Sequence, residues 1–318
     1  MKVLVVGCGS IGRRHILNLC AMRGISSIEV YSHRASCLDF LADRTKPVTL
    51  ISGLLRSDAD CAVICNQTNK HVETAIRLAG QGMHLFIEKP LSNNNSKIKR
   101  LLQIIRHRRL KIFVGYNMRF LPALQIVKRL VASGRFGKIL FAHIEAGQYL
   151  PDWRNGRDYR NVYSANRSQG GGAGLDLSHE IDYMRYIFGE PLDWKIMTSN
   201  TGHLGIDADE LFEGMYRFPG GFVCHVHLDY LQKDKKRSVR LVAEKGELVC
   251  DLVKKVIRFK MHHLKKATCI ARKEYFDIED TYRKEMQVFI AAIRNDSPCP
   301  VGPADGAKVL ELLEDSRV

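Results

Sequence analysis

The sequence predicts an α/β protein: a doubly wound parallel sheet followed by a second α/β domain on an open, mainly antiparallel sheet. Three observations carry this. The chain opens on a short apolar run after Lys2, Val3 to Val6, that leads directly into Gly7, Gly9 and Gly12 and then into a helical pattern. Up to about residue 121, short β-branched runs alternate with helical patterns, as strands buried on both faces by crossover helices do. Beyond that point the runs alternate apolar and polar with tight turns between them, as in a sheet with one free face.

Length and composition set the frame. A chain of 318 residues divides into about two domains, here 1–121 and 122–318, with a last helix at about 303–316 expected to pack back on the first. The formal charge of +15 suits anionic small molecules and could suit nucleic acid. Its densest patch, Lys97 to Lys111, carries Ile98, Leu101, Leu102, Ile104 and Ile105 at helical spacing, which reads as an amphipathic helix with a solvated basic face. No nucleic-acid motif accompanies it, so nucleic acid is not an expected partner. No apolar run approaches the ~18 residues of a membrane span, and the opening run is too short for a signal peptide. Nine cysteines, scattered without C-x-x-C pairs, point to reduced thiols and a cytoplasmic protein.

The opening segment has the spacing G-x-G-x-x-G. The first glycine permits a sharp turn. The second allows the backbone close to a pyrophosphate, and the third lets the helix pack tightly on the strand. Ser10 and Ile11 open that helix, whose unpaired N–H groups and partial positive charge favour phosphate. The second strand is Ser27 to Tyr31. A carboxylate about 20 residues past the glycines would bind a ribose 2′-hydroxyl. Here the chain reads Ser32, His33, Arg34, with no acid until Asp39, which favours the 2′-phosphate of NADP(H) over NAD(H). A helical stretch starts at Leu38 to Ala42. Asp60 to Cys65 is a further buried strand, ending in Asn66, Gln67 and Thr68 at the sheet edge where ligands bind, and Val72 to Ala79 is a helix. His71 reads either as a helix cap or as a cleft residue. Met83 to Ile87 ends in Glu88-Lys89-Pro90, which stands Lys89 where a nicotinamide would lie. A helix from Ser96 and a strand Lys111 to Tyr116, ending in Asn117, complete the first domain.

After the helix Pro122 to Ser133 come strands of another kind: Lys138 to Ala146, Phe222 to Tyr230, Arg237 to Ala243, Glu247 to Leu252 and Lys255 to Lys260. Phe222 to Tyr230 places Phe222, Cys224, Val226, Leu228 and Tyr230 on one face and Val223, His225, His227 and Asp229 on the other. The second face reads as a subunit contact. His225 and His227 have metal-pair spacing but no obvious further ligand in the sequence, so no metal is expected. Two stretches interrupt the strands. The loop Gln148 to Gln169 is long and aromatic, with Trp153, Arg154 and Tyr163 suited to a polyhydroxylated ligand. Gly170 to Gly189 sets glycines before a helix on which Asp176, His179 and Tyr183 are predicted to share a face.

GCGSIGRRH, the Glu88-Lys89-Pro90 strand end, the segment from Gly115 to Phe120 and the GGG…DLSHEIDY helix resemble the Gfo/Idh/MocA oxidoreductases, over nearly the whole chain and in order. The resemblance implies a Rossmann domain followed by an α/β domain with an open sheet. It also implies a nicotinamide cofactor, a sugar or cyclitol substrate, and homodimers or homotetramers through the open sheet face. By position, Lys89 is similar to the family's E-K-P lysine and His179 to the histidine of its glycine-rich helix. The family often has an aspartate four residues before that histidine; here Asp176 lies three before it, and Leu175 fills the fourth place. The YLPDW and SHEID segments resemble members associated with surface-glycan sugars.

These readings give Lys89, His179 and Asp176 as the catalytic candidates. Gly7, Gly9, Ser10, Ile11, Gly12, Ser32, His33, Arg34, Asn66, Gln67, Thr68, His71, Glu88, Lys89 and Asn117 are the expected cofactor contacts. Lys89, Asn117, Trp153, Arg154, Tyr163, Asp176 and His179 are the expected substrate contacts. The expected reaction moves a hydride between nicotinamide and a carbinol or carbonyl carbon of a sugar-like molecule, with His179 as acid/base and Lys89 polarising the oxygen. The alternative is a non-catalytic NADP-binding regulator on the same fold.

Overall fold

The computed structural model describes residues 1–32, 35–41, 46–153 and 158–314. The chain forms two compact units, one of Met1–Asn117 with Glu279–Leu310, the other of Met118–Ile278 with the chain from Glu311. In chain order come β1 (Lys2–Val6), α1 (Ser10–Ala21), β2 (Ser27–Tyr31), β3 (Val48–Ile51), β4 (Cys61–Ile64), α2 (His71–Gly80), β5 (His84–Ile87), α3 (Ile98–Arg108) and β6 (Ile112–Val114). They are followed by α4 (Pro122–Ala132), β7 (Ile139–Gly147), α5 (Ala173–Asp176), α6 (His179–Phe188), β8 (Asp193–Ser199), β9 (Leu211–Arg217) and β10 (Val223–Asp229). The last elements are β11 (Lys236–Ala243), β12 (Gly246–Asp251), β13 (Val256–Met261), β14 (Thr268–Ile270), α7 (Ile278–Arg294) and α8 (Pro303–Leu312).

The first unit is a parallel sheet in the order β3-β2-β1-β4-β5-β6. β1 is central because it carries nothing but buried side chains after Lys2, and both its neighbours pair with the same residues: Val3 lies opposite Ile28 on β2 and Cys61 on β4. The sheet grows outward from β1 in both directions, so the carboxyl ends of β1 and β4 flank the point where a parallel sheet takes its ligand. α7 closes one face: Phe86 stacks on Phe113 at 5.2 Å and Phe289 meets Phe86 edge-on at 5.8 Å. α3 is amphipathic as its sequence predicts, with Ile98 and Leu101 buried and its last turn carrying Arg106, His107 and Arg108, cations that suit a helix C-terminus.

The second unit is an eight-stranded sheet in the order β14-β13-β12-β11-β7-β10-β9-β8. Only the β7–β10 pair is parallel, so the sheet is mainly antiparallel. Cys224, Val226 and Leu228 of β10 are fully buried, while Val223, His225 and His227 look out. α5 and α6 pack on the inner face. Three local expectations are corrected. The helical stretch expected from Leu38 is not formed: a short 3₁₀ turn, Ala35–Leu38, ends there, Asp39 to Leu41 are not helical, and Ala42 lies outside the described residues. The strands β3, β8, β9 and β14 join the sheets without a clear sequence signal. The glycine-rich helix is two pieces: α5 ends at Leu177 (φ −96°, ψ 25°) and α6 restarts after Ser178, so a single helical period does not relate Asp176 to His179. No helix among the described residues is long and apolar enough to cross a membrane.

Candidate active site

The glycine turn separates two requirements. Gly7 has φ +96°, its N–H donates to the Tyr31 carbonyl at 2.9 Å, and a Cβ there would sit 2.7 Å from the Cys65 carbonyl oxygen. A Cβ on Gly12 would collide with the Gly7 carbonyl. Both glycines are therefore demanded by the protein's own packing. A Cβ on Gly9 meets nothing within 4 Å. Gly9 caps α1, which has no side-chain cap and no acid in its first turn, and Ser10 and Ile11 follow as its first residues. An open space against bare helical N–H groups fits the pyrophosphate of a dinucleotide. Ser32 follows β2 and is half-buried. His33 and Arg34 lie outside the described residues.

At the other strand ends, Asn66 donates from Nδ2 to Thr74 Oγ1 at 2.9 Å, Gln67 is exposed and Thr68 is buried. The His71 ring is buried, with Nδ1 2.9 Å from the Pro90 carbonyl and Nε2 3.0 Å from the Asn66 carbonyl. Burial pushes its pKa down, yet two carbonyl acceptors are both satisfied only by a ring carrying two protons. The geometry makes His71 a tie between two strand ends. Asn117 is buried and donates from Nδ2 to Thr281 Oγ1 at 2.7 Å, while its Oδ1 has no hydrogen-bond partner. Lys89 is half-buried after the buried Glu88.

Beneath Lys89 lies a group that no local pattern announces. His15 Nε2 is 2.6 Å from Glu88 Oε1, and Glu285 of α7 completes a cluster whose ligand-type atoms lie within 4.8 Å of one another. All three residues are buried, and neither oxygen of Glu285 has a hydrogen-bond partner among the described residues. Burial, and then the charge of Glu88, pushes the Glu285 carboxyl pKa well above its usual value and favours the protonated form.

In the second unit, Asp176 gathers Tyr163, an expected substrate contact, and Tyr230, which was not expected there. Tyr163 donates to its Oδ1 at 2.6 Å and Tyr230 to its Oδ2 at 2.8 Å. Trp153 meets Tyr230 edge-on at 5.3 Å and donates from Nε1 to the Gln148 carbonyl. Close approach of the loop to α5 requires Gly171, where a Cβ would strike the Tyr163 and Ser164 carbonyls. Burial and the Asp176 charge keep the Tyr230 hydroxyl well above its usual pKa, so it remains a donor. Arg154 lies outside the described residues.

His179 is half-buried at the first turn of α6, and the two acids that follow it fix the helix. Glu180 accepts from Arg237 Nε at 2.7 Å and from the Tyr183 hydroxyl at 3.1 Å. Asp182 is held by both nitrogens of the Arg119 fork, the shorter contact 2.6 Å. Glu180, Asp182 and Tyr183 are fully buried, so Tyr183 belongs to the core and does not share a wet face with His179. Arg119, Arg237 and Tyr230 are the functional supports that the sequence reading missed. Each acts on a residue at least 54 positions away, which no periodicity reports.

The outer sheet face carries a polar ladder. His225 Nε2 and His227 Nδ1 both lie 2.7 Å from the Glu213 carboxylate, and His227 Nε2 lies 3.0 Å from Asp229. Carboxylates therefore do flank the two histidines, and they engage them by hydrogen bonds. The Asp229 carboxylate, aided by Glu213 and opposed by partial burial, lifts His227 to about 9. Beside them, Phe141, His143, Met215, Val223 and Arg240 line a shallow hollow of about 360 Å³.

Comparison with known proteins agrees with this architecture. A family model described as the oxidoreductase family with an NAD-binding Rossmann fold matches residues 1–116, and one described as the GFO/IDH/MocA C-terminal domain matches residues 124–249. A myo-inositol 2-dehydrogenase of Thermotoga maritima is 25% identical over 98% of this chain and 94% of its own. The structure of the WlbA dehydrogenase from Bordetella pertussis, in complex with NADH and UDP-GlcNAcA, superposes with a TM-score of 0.83 at 21% identity, covering 98% of this chain and 93% of that one. A levoglucosan dehydrogenase in complex with NADH and levoglucosan gives 0.85 at 19% identity, covering 98% and 95%. The two structural matches show the same fold.

Proposed function

The chain belongs to the GFO/IDH/MocA oxidoreductase family, and from that premise we propose that it is an NAD(P)-dependent dehydrogenase or reductase acting on the CH–OH group of a sugar, sugar derivative or cyclitol. The observation that carries this is the glycine turn: two glycines required by the fold, and a third left open at a bare helix N-terminus. The nicotinamide, when bound, supplies the hydride acceptor or donor. Gly9, Ser10 and Ile11 would hold its pyrophosphate, with Asn66, Gln67, Thr68 and Asn117 along the strand ends.

In the oxidative direction the alcohol O–H bond breaks, and its proton passes to the His179 imidazole as the carbon loses hydride. In reduction His179 returns that proton to the oxygen. Lys89 polarises the same oxygen by hydrogen bonding. Asp176 holds Tyr163 and Tyr230, and through them orients the aromatic loop that would receive the sugar ring. Trp153 supplies an apolar plane and Arg154 a donor to hydroxyls. Proton transfer by a placed side chain is worth on the order of 10²–10⁴ in rate, so His179→Ala should lose that much in kcat, and Lys89→Ala a comparable factor.

NADP(H) is the proposed preference, because Ser32, His33 and Arg34 follow β2 where an acid would select NAD(H). A cytoplasmic setting is supported by nine free cysteines. A homodimer or homotetramer through the open sheet face is supported by the exposure of Phe141 (44%) and Met215 (50%) beside the histidine ladder. The relatives' names suggest the panel for the decisive assay: myo-inositol, levoglucosan, UDP-GlcNAcA and their keto forms, followed by NADPH and NADH absorbance. Turnover that requires both Lys89 and His179 supports the proposal. Turnover unchanged in His179→Ala would overturn the acid/base assignment, and silence of the whole panel in single-turnover experiments would overturn the activity.

A further inference from the structure

Lys89 sits on a segment gripped from both sides by buried histidines. On one side, His15 of α1 places Nε2 2.6 Å from Glu88 Oε1, and Glu88 Oε2 accepts the backbone N–H of Lys89 at 3.2 Å. On the other side, His71 of α2 places Nδ1 2.9 Å from the carbonyl of Pro90 and Nε2 3.0 Å from that of Asn66. His15 is 0% and His71 2% exposed, so the His15–Glu88 and His71–Pro90 bonds are made where no water competes. The His15 ring is itself fixed, edge-on to Phe86 at 5.1 Å and to Tyr282 at 6.3 Å. The partners are 73 and 19 positions apart in sequence, so the grip joins both flanking helices to one strand end.

We propose that His15 and His71 are positioning residues for Lys89: His15 acts through Glu88 on the residue's N-terminal side, His71 acts through Pro90 on its C-terminal side, and together they fix where the ammonium can reach. α1 is also the helix capped by Gly9. The helix that faces the cofactor's phosphates is thus tied by one hydrogen bond to the segment carrying the lysine. Any buried imidazole needs partners for its ring nitrogens; what marks this pair is that the partners chosen, Glu88 and Pro90, are the two residues on either side of Lys89. The charged and titratable groups around the grip are Glu88, Glu285, Lys89, Arg14, Cys65 and Tyr282. The inference rests on the role of Lys89 proposed above.

The test uses the full-length protein with NADP(H), in His15→Met, His71→Met, His15→Gln, Lys89→Ala and the double variant His15→Met/Lys89→Ala. Methionine fills the space without a strong donor; glutamine keeps one at the place of Nε2. Crystal structures should show Lys89 displaced by about 1 Å or more in both methionine variants, a shift that can cost up to ~10²-fold in rate. In His15→Gln it should stay in place. kcat on the panel sugar turned over fastest should fall roughly 10- to 100-fold in the methionine variants, with the KM for cofactor held within about twofold. On the Lys89→Ala background, His15→Met should cost nothing further. The inference is overturned by an unmoved Lys89 in both methionine variants, or by the same fold-loss with and without Lys89. A bound divalent ion at one equivalent, lost in His15→Met, also overturns it, because His15, Glu88 and Glu285 would then be metal ligands. Wild-type turnover in Lys89→Ala removes the role of Lys89 itself, whereas an impaired Lys89→Ala with additive His15→Met removes this inference alone.

Discussion

Replacing Glu285 by glutamine should stabilise the protein, and by more as the pH rises. The carboxyl is fully buried, neither of its oxygens has a hydrogen-bond partner among the described residues, and Glu88 lies beside it. Burial first, and the Glu88 charge second, hold its folded pKa well above the ordinary 4.5. The unfolded chain ionises near that ordinary value. Below it both states carry the proton, and the group costs nothing. Above it the unfolded state sheds the proton and the folded state keeps it, so stability falls as pH rises until the folded value is reached. Each pH unit within that window is worth about 1.4 kcal/mol for one proton. Between pH 5 and pH 8 the wild-type penalty therefore grows until the folded value is passed. Glutamine has nearly the same shape and no proton to lose, so its advantage should grow over the same interval. Guanidinium unfolding of both proteins at pH 5, 6.5 and 8, followed by far-UV circular dichroism without cofactor, measures the difference directly. A Glu285→Gln effect that is flat with pH, or that turns destabilising at pH 8, would refute the reasoning, because Glu285 would then be ionised and paired in the fold.

Three other perturbations separate the remaining roles. Gly9→Ala should leave the melting temperature within a degree or two and raise the KM for the nicotinamide cofactor. Gly12→Ala, whose Cβ strikes the Gly7 carbonyl, should lower stability by several kcal/mol; isothermal titration and thermal melts read the contrast. Tyr230→Phe removes a donor to the buried side chain of Asp176 and should cost about 1–3 kcal/mol, with a loss of sugar turnover that exceeds any change in cofactor affinity. His227, lifted to about 9 by Asp229 and Glu213, contributes stability that is fully present below its ordinary 6.5 and is lost as the pH rises through about 9. Melting curves of the wild type and His227→Asn should therefore converge between pH 6.5 and 10.

What was legible in the sequence follows physical range. Strands buried on both faces, β1, β4 and β5, are written as uninterrupted apolar runs because both their faces must be apolar. The edge strands are not. β3 buries only Val48, and β8 buries only Trp194, so neither needs a pattern. β9 contains Gly214, which lies beneath the ring of Tyr216, where a side chain would collide. α7 turns Thr281 and Glu285 inward beside Met286, Phe289 and Ile290, and two polar residues blur its apolar stripe. The open face of β10 alternated as expected, yet Glu213, which binds both of its histidines, comes from the neighbouring strand and was out of reach of a pattern read along one strand.

The candidate site divides along the same line. Local chemistry announces Gly7, Gly9 and Gly12, the strand ends Asn66 and Glu88-Lys89-Pro90, and the glycine-rich entry to His179, because each is a backbone requirement or a residue type at a known edge. The groups that hold them are distant in sequence: Glu285 beside Glu88, Tyr230 on Asp176, Arg237 on Glu180 and Arg119 on Asp182. Three of these hold buried carboxylates, and an unpaired buried carboxylate costs several kcal/mol. Once Glu180 and Asp182 are placed inside by a helix whose apolar stripe runs through Ile181 and Met184, their arginines become obligatory. A sequence can therefore announce that partners must exist without naming them. Glu285 is the exception, buried without a donor, which is why its protonation state is the sharpest single test of how this core is put together.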